Sequence, residues 1–353
     1  MYIVLAILAF GILIFTHELG HFLAARACGV KVEEFALGMG PQLLKKQGKE
    51  TLYSLRLLPI GGFCAMMGED EASDDPRAFN SQAAWKRALI LVAGAASNFL
   101  VGFLLVVLVF SQSAGYSSSK ITGFMEGCPY EGEDALMAGD EIYRIDGHRI
   151  YFSGNVGDYM SRSGDDTHDI VVLRDGKKVK LEDFYMPLRE YTQADGSTVL
   201  KYGLYFGVAE ASPGSCLKYS WYCSLDFVRL IWRSLGDLVS GRVGVNDLSG
   251  PVGIVDMVND VASAQEDTGE ALLDIVYLFA LIAVNLAVMN MLPIPALDGG
   301  RVFLLLVTWV IETVTRKKLN PKYEGYIHAG GMILLLALMA FVMLNDIIRI
   351  VTG

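Results

Sequence analysis

Four apolar runs dominate this sequence: Tyr2 to about Ala27, Ala88 to Phe110, Leu272 to Val310, and Gly330 to Ile350. A helix needs about 20 apolar residues to cross a bilayer at about 1.5 Å rise per residue, so each run is long enough to span one. The third is too long for a single straight span and is interrupted by Pro293, Pro295, Gly299 and Gly300. Proline removes backbone donors and glycine loosens a helix, so that span is expected to break near its end and continue as a second helical piece. The expected fold is a polytopic α-helical membrane protein with four transmembrane elements, the third one broken. The first run is apolar like a signal-peptide core. It lacks a preceding basic segment and a small-residue cleavage site before His17, and it reads as a retained span.

Composition divides along the chain in the same way. Hydrophobic residues make up 53% of the chain, yet 19% are charged, too many for a bundle of apolar helices alone. The charges concentrate outside the runs, and the stretch 112–270 has the mixed composition of a globular domain with linkers. A net charge of −10 argues against nucleic acid as a partner, because phosphate binding needs a basic face. The five cysteines show no metal-binding spacing and set no disulfide framework. Cys216 and Cys223 are expected as free thiols, although seven residues apart on one helix they could meet.

Taken in order, the expected parts are span one over 1–28, a cytoplasmic-side loop over 29–84, span two over 85–111 and a small α/β domain over 116–210. Amphipathic or surface linker helices over 211–271, the broken span three over 272–314 and span four over 325–351 complete the chain. Within the first loop, Lys31–Leu37 and Thr51–Leu58 read as strands of a membrane-associated β-hairpin. In the α/β domain, Ile170–Leu173 and Val179–Leu181 flank the turn Arg174-Asp175-Gly176-Lys177, and Tyr202–Val208 reads as a late strand. Residues 217–240 mix Trp221, Phe227 and Trp232 with Arg229, Arg233 and Asp237, which fits either a helix on the membrane surface or one packed on a domain.

Basic residues set the orientation. Arg26, Lys31, Lys45, Lys46, Lys49, Arg56, Lys86 and Arg87 lie between spans one and two, and Arg316, Lys317, Lys318 and Lys322 precede span four. Both groups belong in the cytoplasm if the N-terminus is outside, and the 112–270 region then lies outside.

The run His17-Glu18-Leu19-Gly20-His21 sits inside the first apolar stretch. Positions i and i+4 share a helix face, so both imidazoles can grip one zinc ion while Glu18 reaches a metal-bound water. Ionisable groups within a span are expensive, which favours function over packed or pore-lining histidines. A catalytic zinc wants three protein ligands and one open position. Asp298, in Asn290-Met291-Leu292-Pro293-Ile294-Pro295-Ala296-Leu297-Asp298-Gly299-Gly300, is the candidate, with a helix N-cap as the ordinary alternative. Depth favours the ligand: span three runs inward like span one, and Asp298 follows its start by roughly 25 residues at about 1.5 Å each. It therefore reaches the inner level of the two histidines. Gly94 to Asn98 arrive at that level from span two. There the glycine and alanines favour close helix packing, and Asn98 is balanced between packing and a hydrogen bond to a metal ligand. Asn290 is either helix-to-helix glue or a contact for an extended substrate backbone. His328, at the entry to span four, reads as an interfacial residue.

These motifs together resemble the site-2 protease family of intramembrane metalloproteases, and most closely its RseP branch, bacterial regulators of sigma-factor release. The resemblance covers nearly the whole chain. It implies Zn2+ held by His17, His21 and Asp298, with Glu18 as the catalytic carboxylate and substrate contacts from Asn290, Pro293 and Pro295. It implies a bacterial cytoplasmic-membrane protein whose 116–210 region is an extracytoplasmic PDZ-like domain, with 139–147 as its signature. The implied substrates are transmembrane segments of membrane proteins, an anti-sigma factor or signal-peptide remnants. Members commonly carry proline where Ala95 stands, and some carry two such domains rather than one. Two other classes use the same features, a membrane zinc transporter or sensor and a non-catalytic PDZ scaffold. Glu18 between the histidines argues for hydrolysis over transport, and intact HELGH and LDGG motifs argue against an idle scaffold.

The orientation is testable by thiol labelling in intact cells. A cysteine at Lys46 should react only from the cytoplasmic side, and cysteines at Ser117 and Gly196 only from outside. Labelling of Lys46 and Gly196 positions from one side would remove the four-element arrangement.

Overall fold

The computed structural model describes residues 2–69, 73–192, 196–244, 250–263, 267–316 and 322–352. They form two compact units, one of Met1–Val109 with Phe227–Gly353 and one of Phe110–Asp226. Lys317 and Lys318, which enter the orientation argument, lie outside the described residues.

In chain order the elements begin with α1 (Tyr2–Cys28), β1 (Val32–Gln47), β2 (Leu52–Met66) and α2 (Ala84–Phe110). The second unit follows with β3 (Gly115–Phe124), β4 (Glu141–Ile145), β5 (His148–Arg149), α3 (Ser153–Arg162), β6 (Thr167–Arg174), β7 (Lys177–Tyr185), β8 (Arg189–Thr192), β9 (Thr198–Lys201) and β10 (Leu204–Glu210). After α4 (Pro213–Val239) come α5 (Pro251–Ser263), α6 (Thr268–Asn290), α7 (Asp298–Thr315) and α8 (Lys322–Thr352).

Among the described residues, Ile7–Cys28, Ala84–Phe110, Thr268–Asn290 and Gly325–Leu344 are long and apolar enough to cross a membrane. Their outward faces carry large apolar side chains at helical spacing, such as Leu8 and Ile12 on α1, Leu100, Leu104 and Leu108 on α2, and Leu334 and Leu338 on α8. Such stripes are unfavourable in water and natural against lipid. Leu13 of α1 packs with Val258 of α5 and with Ile275, Leu278, Phe279, Ile282 and Ala283 of α6 in one buried cluster. The third apolar run starts earlier than its composition indicates, because Asp267 caps α6 by accepting the Gly269 amide. It breaks at Asn290, and α7 resumes at Asp298.

The hairpin is longer than its sequence pattern shows, and it is doubly paired. Phe35 faces both Cys64 and Tyr53, Ala36 both Phe63 and Ser54, and Leu37 both Gly62 and Leu55. The outer part of β1 turns back so that Leu44–Gln47 pair with Leu52–Leu55. Two bent strands thus make four antiparallel rungs, ordered 42–47, 52–58, 32–39, 62–66. The bends need left-handed backbone, supplied by Gly38 (φ 82°) and Gly61 (φ 83°). The sequence-level strands Lys31–Leu37 and Thr51–Leu58 are therefore only the two central rungs. The outer rungs follow glycine and proline, which read as turns.

The second unit is a sheet in the order β10-β3-β4-β6-β7, with β5 added to β4 and a separate β8-β9 hairpin. Its core holds Ile121, Leu136, Ile142, Ile145, Ile170 and Val172. The β6–β7 hairpin closes on Asp175 (φ 51°) and Gly176 (φ 76°), the two positive dihedrals of the tight hairpin turn that Asp-Gly favours. Both strands extend beyond the ranges read from sequence, to Thr167–Arg174 and Lys177–Tyr185. Cys216 and Cys223 are buried and are not joined in a disulfide.

One buried charge fastens this unit. The Asp140 side chain is 1% exposed; it accepts the Met137 amide at 2.9 Å and two guanidinium bonds from Arg174, each 2.9 Å. Arg174 also donates to the carbonyls of Glu133 and Ala135. Removing the cation strands a buried carboxylate at a cost of about 3 kcal/mol or more. Arg174→Leu is therefore expected to speed hydrogen exchange of the β3 and β4 amides by about 100-fold, while the amides of α1 and α2 keep their protection. Mass-spectrometric exchange measures both.

Candidate metal centre

His17 and His21 lie one turn apart on α1 and turn their Nε2 atoms towards each other, 3.2 Å apart. Asp298 Oδ2 stands 3.2 Å from each of those nitrogens. The three atoms form a triangle with equal sides.

Hydrogen-bond partners fix what the triangle can do. His21 Nδ1 lies 2.8 Å from the Ile90 carbonyl of α2. A carbonyl only accepts, so Nδ1 carries the proton and Nε2 of the neutral ring presents a lone pair. Asp298 Oδ2 is buried and, among the described residues, receives no hydrogen bond. With the Nδ1-protonated tautomer on His17 as well, lone pairs converge on one point, which is repulsive until a cation occupies it. Bonds of about 2.0–2.1 Å in tetrahedral geometry place ligand atoms about 3.3 Å apart, so the triangle matches one face of a zinc tetrahedron. Two imidazole nitrogens and one carboxylate oxygen suit zinc and leave a fourth position for water or substrate.

Each side chain has a local reason for its place. α7 begins with Leu297 as its N-cap residue, without a side-chain cap bond. Asp298 is the first helical residue, and its carboxylate turns to the imidazoles instead of capping the helix. On α2, Gly94 stands against the rings: a methyl there would collide with His21 Nε2 and lie 2.8 Å from His17 Cε1. Gly20 works from the other side, where a methyl would strike the Ala93 carbonyl and Ser97 Oγ. Glu18 faces the sheet, since a Cβ at Gly62 would lie 3.3 Å from its Cγ. The carboxylate thus lies beside the outer rung Gly62–Met66.

The structure brings His17, Glu18, His21, Asp298 and Asn290 into one locality. The Asn290 amide lies 3.5 Å from His17 Nδ1, which makes it the ring's neighbour as well as a residue of the broken span. Turning the amide so that its oxygen faces the ring gives His17 the tautomer of His21. Asn98 is buried, but it receives its hydrogen bond from Thr16 Oγ1 at 3.2 Å rather than donating to a metal ligand. Spacing placed it at the right level and could not fix its direction. Pro293 and Pro295 lie in the loop between α6 and α7. Sequence reasoning missed the contact of Gly94 with the rings and the Ile90 carbonyl. A glycine at a helix crossing signals the first; nothing in a sequence singles out a backbone carbonyl.

Residues 5–338 match peptidase family M50. A protein of Clostridium acetobutylicum named as a zinc metalloprotease is 35% identical over 348 residues, which cover 98% of this chain and 97% of that one. The zinc metalloprotease RasP of Bacillus licheniformis is 28% identical, with 98% of each chain covered. The regulator of sigma-W protease RasP of Bacillus subtilis is 26% identical, with 98% of this chain and 97% of that one covered.

Gly94 offers a test of the geometry that leaves every polar group in place. Gly94→Ala should lower the zinc retained per purified chain at least about tenfold under mild chelation, since one pushed ligand is worth about 1.4 kcal/mol or more. Ala95→Gly, one residue on, should retain wild-type zinc. Elemental analysis after dialysis reads both.

Proposed function

The chain belongs to peptidase family M50, the zinc metalloproteases of site-2 protease type, and we propose that His17, His21 and Asp298 hold its zinc while Glu18 is its catalytic acid–base in cutting transmembrane segments. The observation that carries this reading is the triangle of Nε2, Nε2 and Oδ2 atoms with Glu18 between the two histidines on one helical turn.

Zinc bound there supplies a Lewis acid that acidifies a water and polarises the scissile carbonyl. The protein's own part is positional. His21 is oriented by the Ile90 carbonyl and His17 by Asn290. Glu18 takes a proton from water on its carboxylate and returns it to the leaving amine nitrogen. A helix hides its carbonyls in hydrogen bonds, so a transmembrane substrate must unwind to be cut. The rung Gly62–Met66 pairs with β1 along one edge and lies beside Glu18. An extended substrate segment fits its other edge by strand addition, with Asn290, Pro293 and Pro295 contacting it from the broken span.

In this reading the protein is a multi-pass protein of the bacterial cytoplasmic membrane. Its four apolar helices cross the bilayer, the site faces the cytoplasmic side, and the 116–210 region is an extracytoplasmic PDZ-like domain that gates access. The substrates are transmembrane segments of membrane proteins, such as that of an anti-sigma factor, or signal-peptide remnants. The Bacillus subtilis relative named for sigma-W regulation supports the first of these.

Substitutions separate chemistry from metal binding. Glu18→Gln should keep about one zinc per chain, while cleavage of a helical reporter falls by at least about 100-fold. His17→Ala, His21→Ala and Asp298→Asn should each lose zinc. Asp298→Asn with full zinc and full cleavage would falsify the three-ligand assignment.

A further inference from the structure

The turn that delivers Asp298 is strained, and span four holds it. Between α6 and α7, the Met291 amide donates to the Val288 carbonyl, Leu292 to Met289, Ile294 to Leu292 and Leu297 to Ile294. Pro293 and Pro295 have no amide to donate. The amide left over is that of Ala296, and it donates to His328 Nδ1 of α8 at 3.2 Å.

Ala296 has φ 80°, a left-handed conformation that a residue with a side chain adopts at a cost. With Pro295 before it and the Ile294–Leu297 bond closing four residues, this is a type II turn. Its third position ordinarily takes glycine. Strained residues of this kind persist where their surroundings over-determine them. Two contacts from α8 do so. His328 takes the Ala296 amide, and one helical turn on, Gly331 lies against Pro295. A methyl at Gly331 would collide with Pro295 Cβ and lie 2.8 Å from its carbonyl carbon. Two residues beyond the strained alanine comes Asp298.

We infer that His328 is a positioning residue for Asp298: by accepting the Ala296 amide it holds the Ile294–Leu297 turn in the conformation that aims the carboxylate at the two imidazoles. This rests on the reading of Asp298 as a metal ligand. His328 touches neither metal nor substrate. It acts through the turn, and Gly331 supports the same turn by leaving room for Pro295.

The test uses the full chain in detergent or nanodiscs, with zinc per chain and cleavage rate measured for each variant. His328→Ala removes the acceptor and should lower zinc retention under mild chelation and cleavage rate at least about tenfold each. His328→Asn should stay within about threefold of wild type, because its Oδ1 is bonded to Cγ as Nδ1 is in histidine and can accept the same amide. Ala296→Gly added to His328→Ala should recover most of the loss, because glycine adopts the turn conformation without strain. A merely structural histidine would show neither rescue. Wild-type zinc and activity in His328→Ala would overturn the proposal, as would a loss that neither Asn nor Ala296→Gly repairs. If His328→Ala does not fold, Gly331→Ala decides: loss of zinc from a folded, inserted chain supports the clamp, and full zinc overturns it. Asp298→Asn run alongside keeps the two readings apart. Its retention of zinc would remove the ligand assignment itself, whereas its loss of zinc beside an unaffected His328→Ala would remove the clamp alone.

Discussion

The imidazole side of the site depends on how closely α2 can approach α1. The two helices meet through Gly20 on one and Gly94 on the other, and the space of the missing side chains is taken by backbone on one side and by imidazole on the other. That approach brings the Ile90 carbonyl to His21 Nδ1 and so decides the tautomer. The tautomer leaves a lone pair on Nε2, through which the ring can bind a metal at the triangle. A helix pair held farther apart by one methyl group would lose the orientation of the ring, not merely some packing. Small residues in membrane helices are usually explained by association. Here the contact that associates the helices is also the contact that fixes the chemistry.

Much of this was legible in the residues, for different reasons. Apolar run length fixes membrane helices because nothing but a helix hides its backbone groups over that distance. His17 and His21 are legible because helical periodicity is rigid, so a spacing of four states a shared face. Asp298 was legible only through depth, since its local sequence suits an N-cap equally well; Leu297 holds that position instead. The register of the four-rung sheet was not legible. Its strands bend at glycines and at a proline–glycine segment that locally read as turns, and a strand paired on both edges looks in sequence like one paired on a single edge. Asn98 and His328 were placed by level along the bilayer, which says nothing about direction around a helix. Asn98 meets Thr16, and His328 meets a backbone amide that no sequence pattern marks.

The ends of the broken span show a division of labour between backbone and side chain. A break exposes amides that an unbroken helix would satisfy, and in a bilayer each unsatisfied one is costly. The loop between α6 and α7 disposes of that cost with two prolines, which bring no amide, and with short local bonds. Of the loop amides between Met291 and Leu297, that of Ala296 is bonded outside the segment, to His328 of α8. Breaking the helix is what frees Asp298 to stand at the start of α7 with its carboxylate uncommitted to capping.

The same constraint bears on the sheet. Strands at membrane depth would be tolerated only when their backbone groups are paired within protein, and the double pairing of Phe35–Leu37 supplies such pairing for the inner rungs. Pairing cannot extend indefinitely, so an outer rung must remain with one edge open. A sheet of this kind would ordinarily hide that edge or blunt it with charge. Gly62–Met66 carries no charged residue and lies beside Glu18. In the proposed reaction such an edge lies next to a site whose substrate would itself arrive unwound. A transmembrane helix opened for cleavage has the complementary deficit, a row of amides and carbonyls without partners. In the proposed reaction, pairing of the rung with an unwound segment would offset part of the cost of unwinding at the place where the peptide bond has to be exposed.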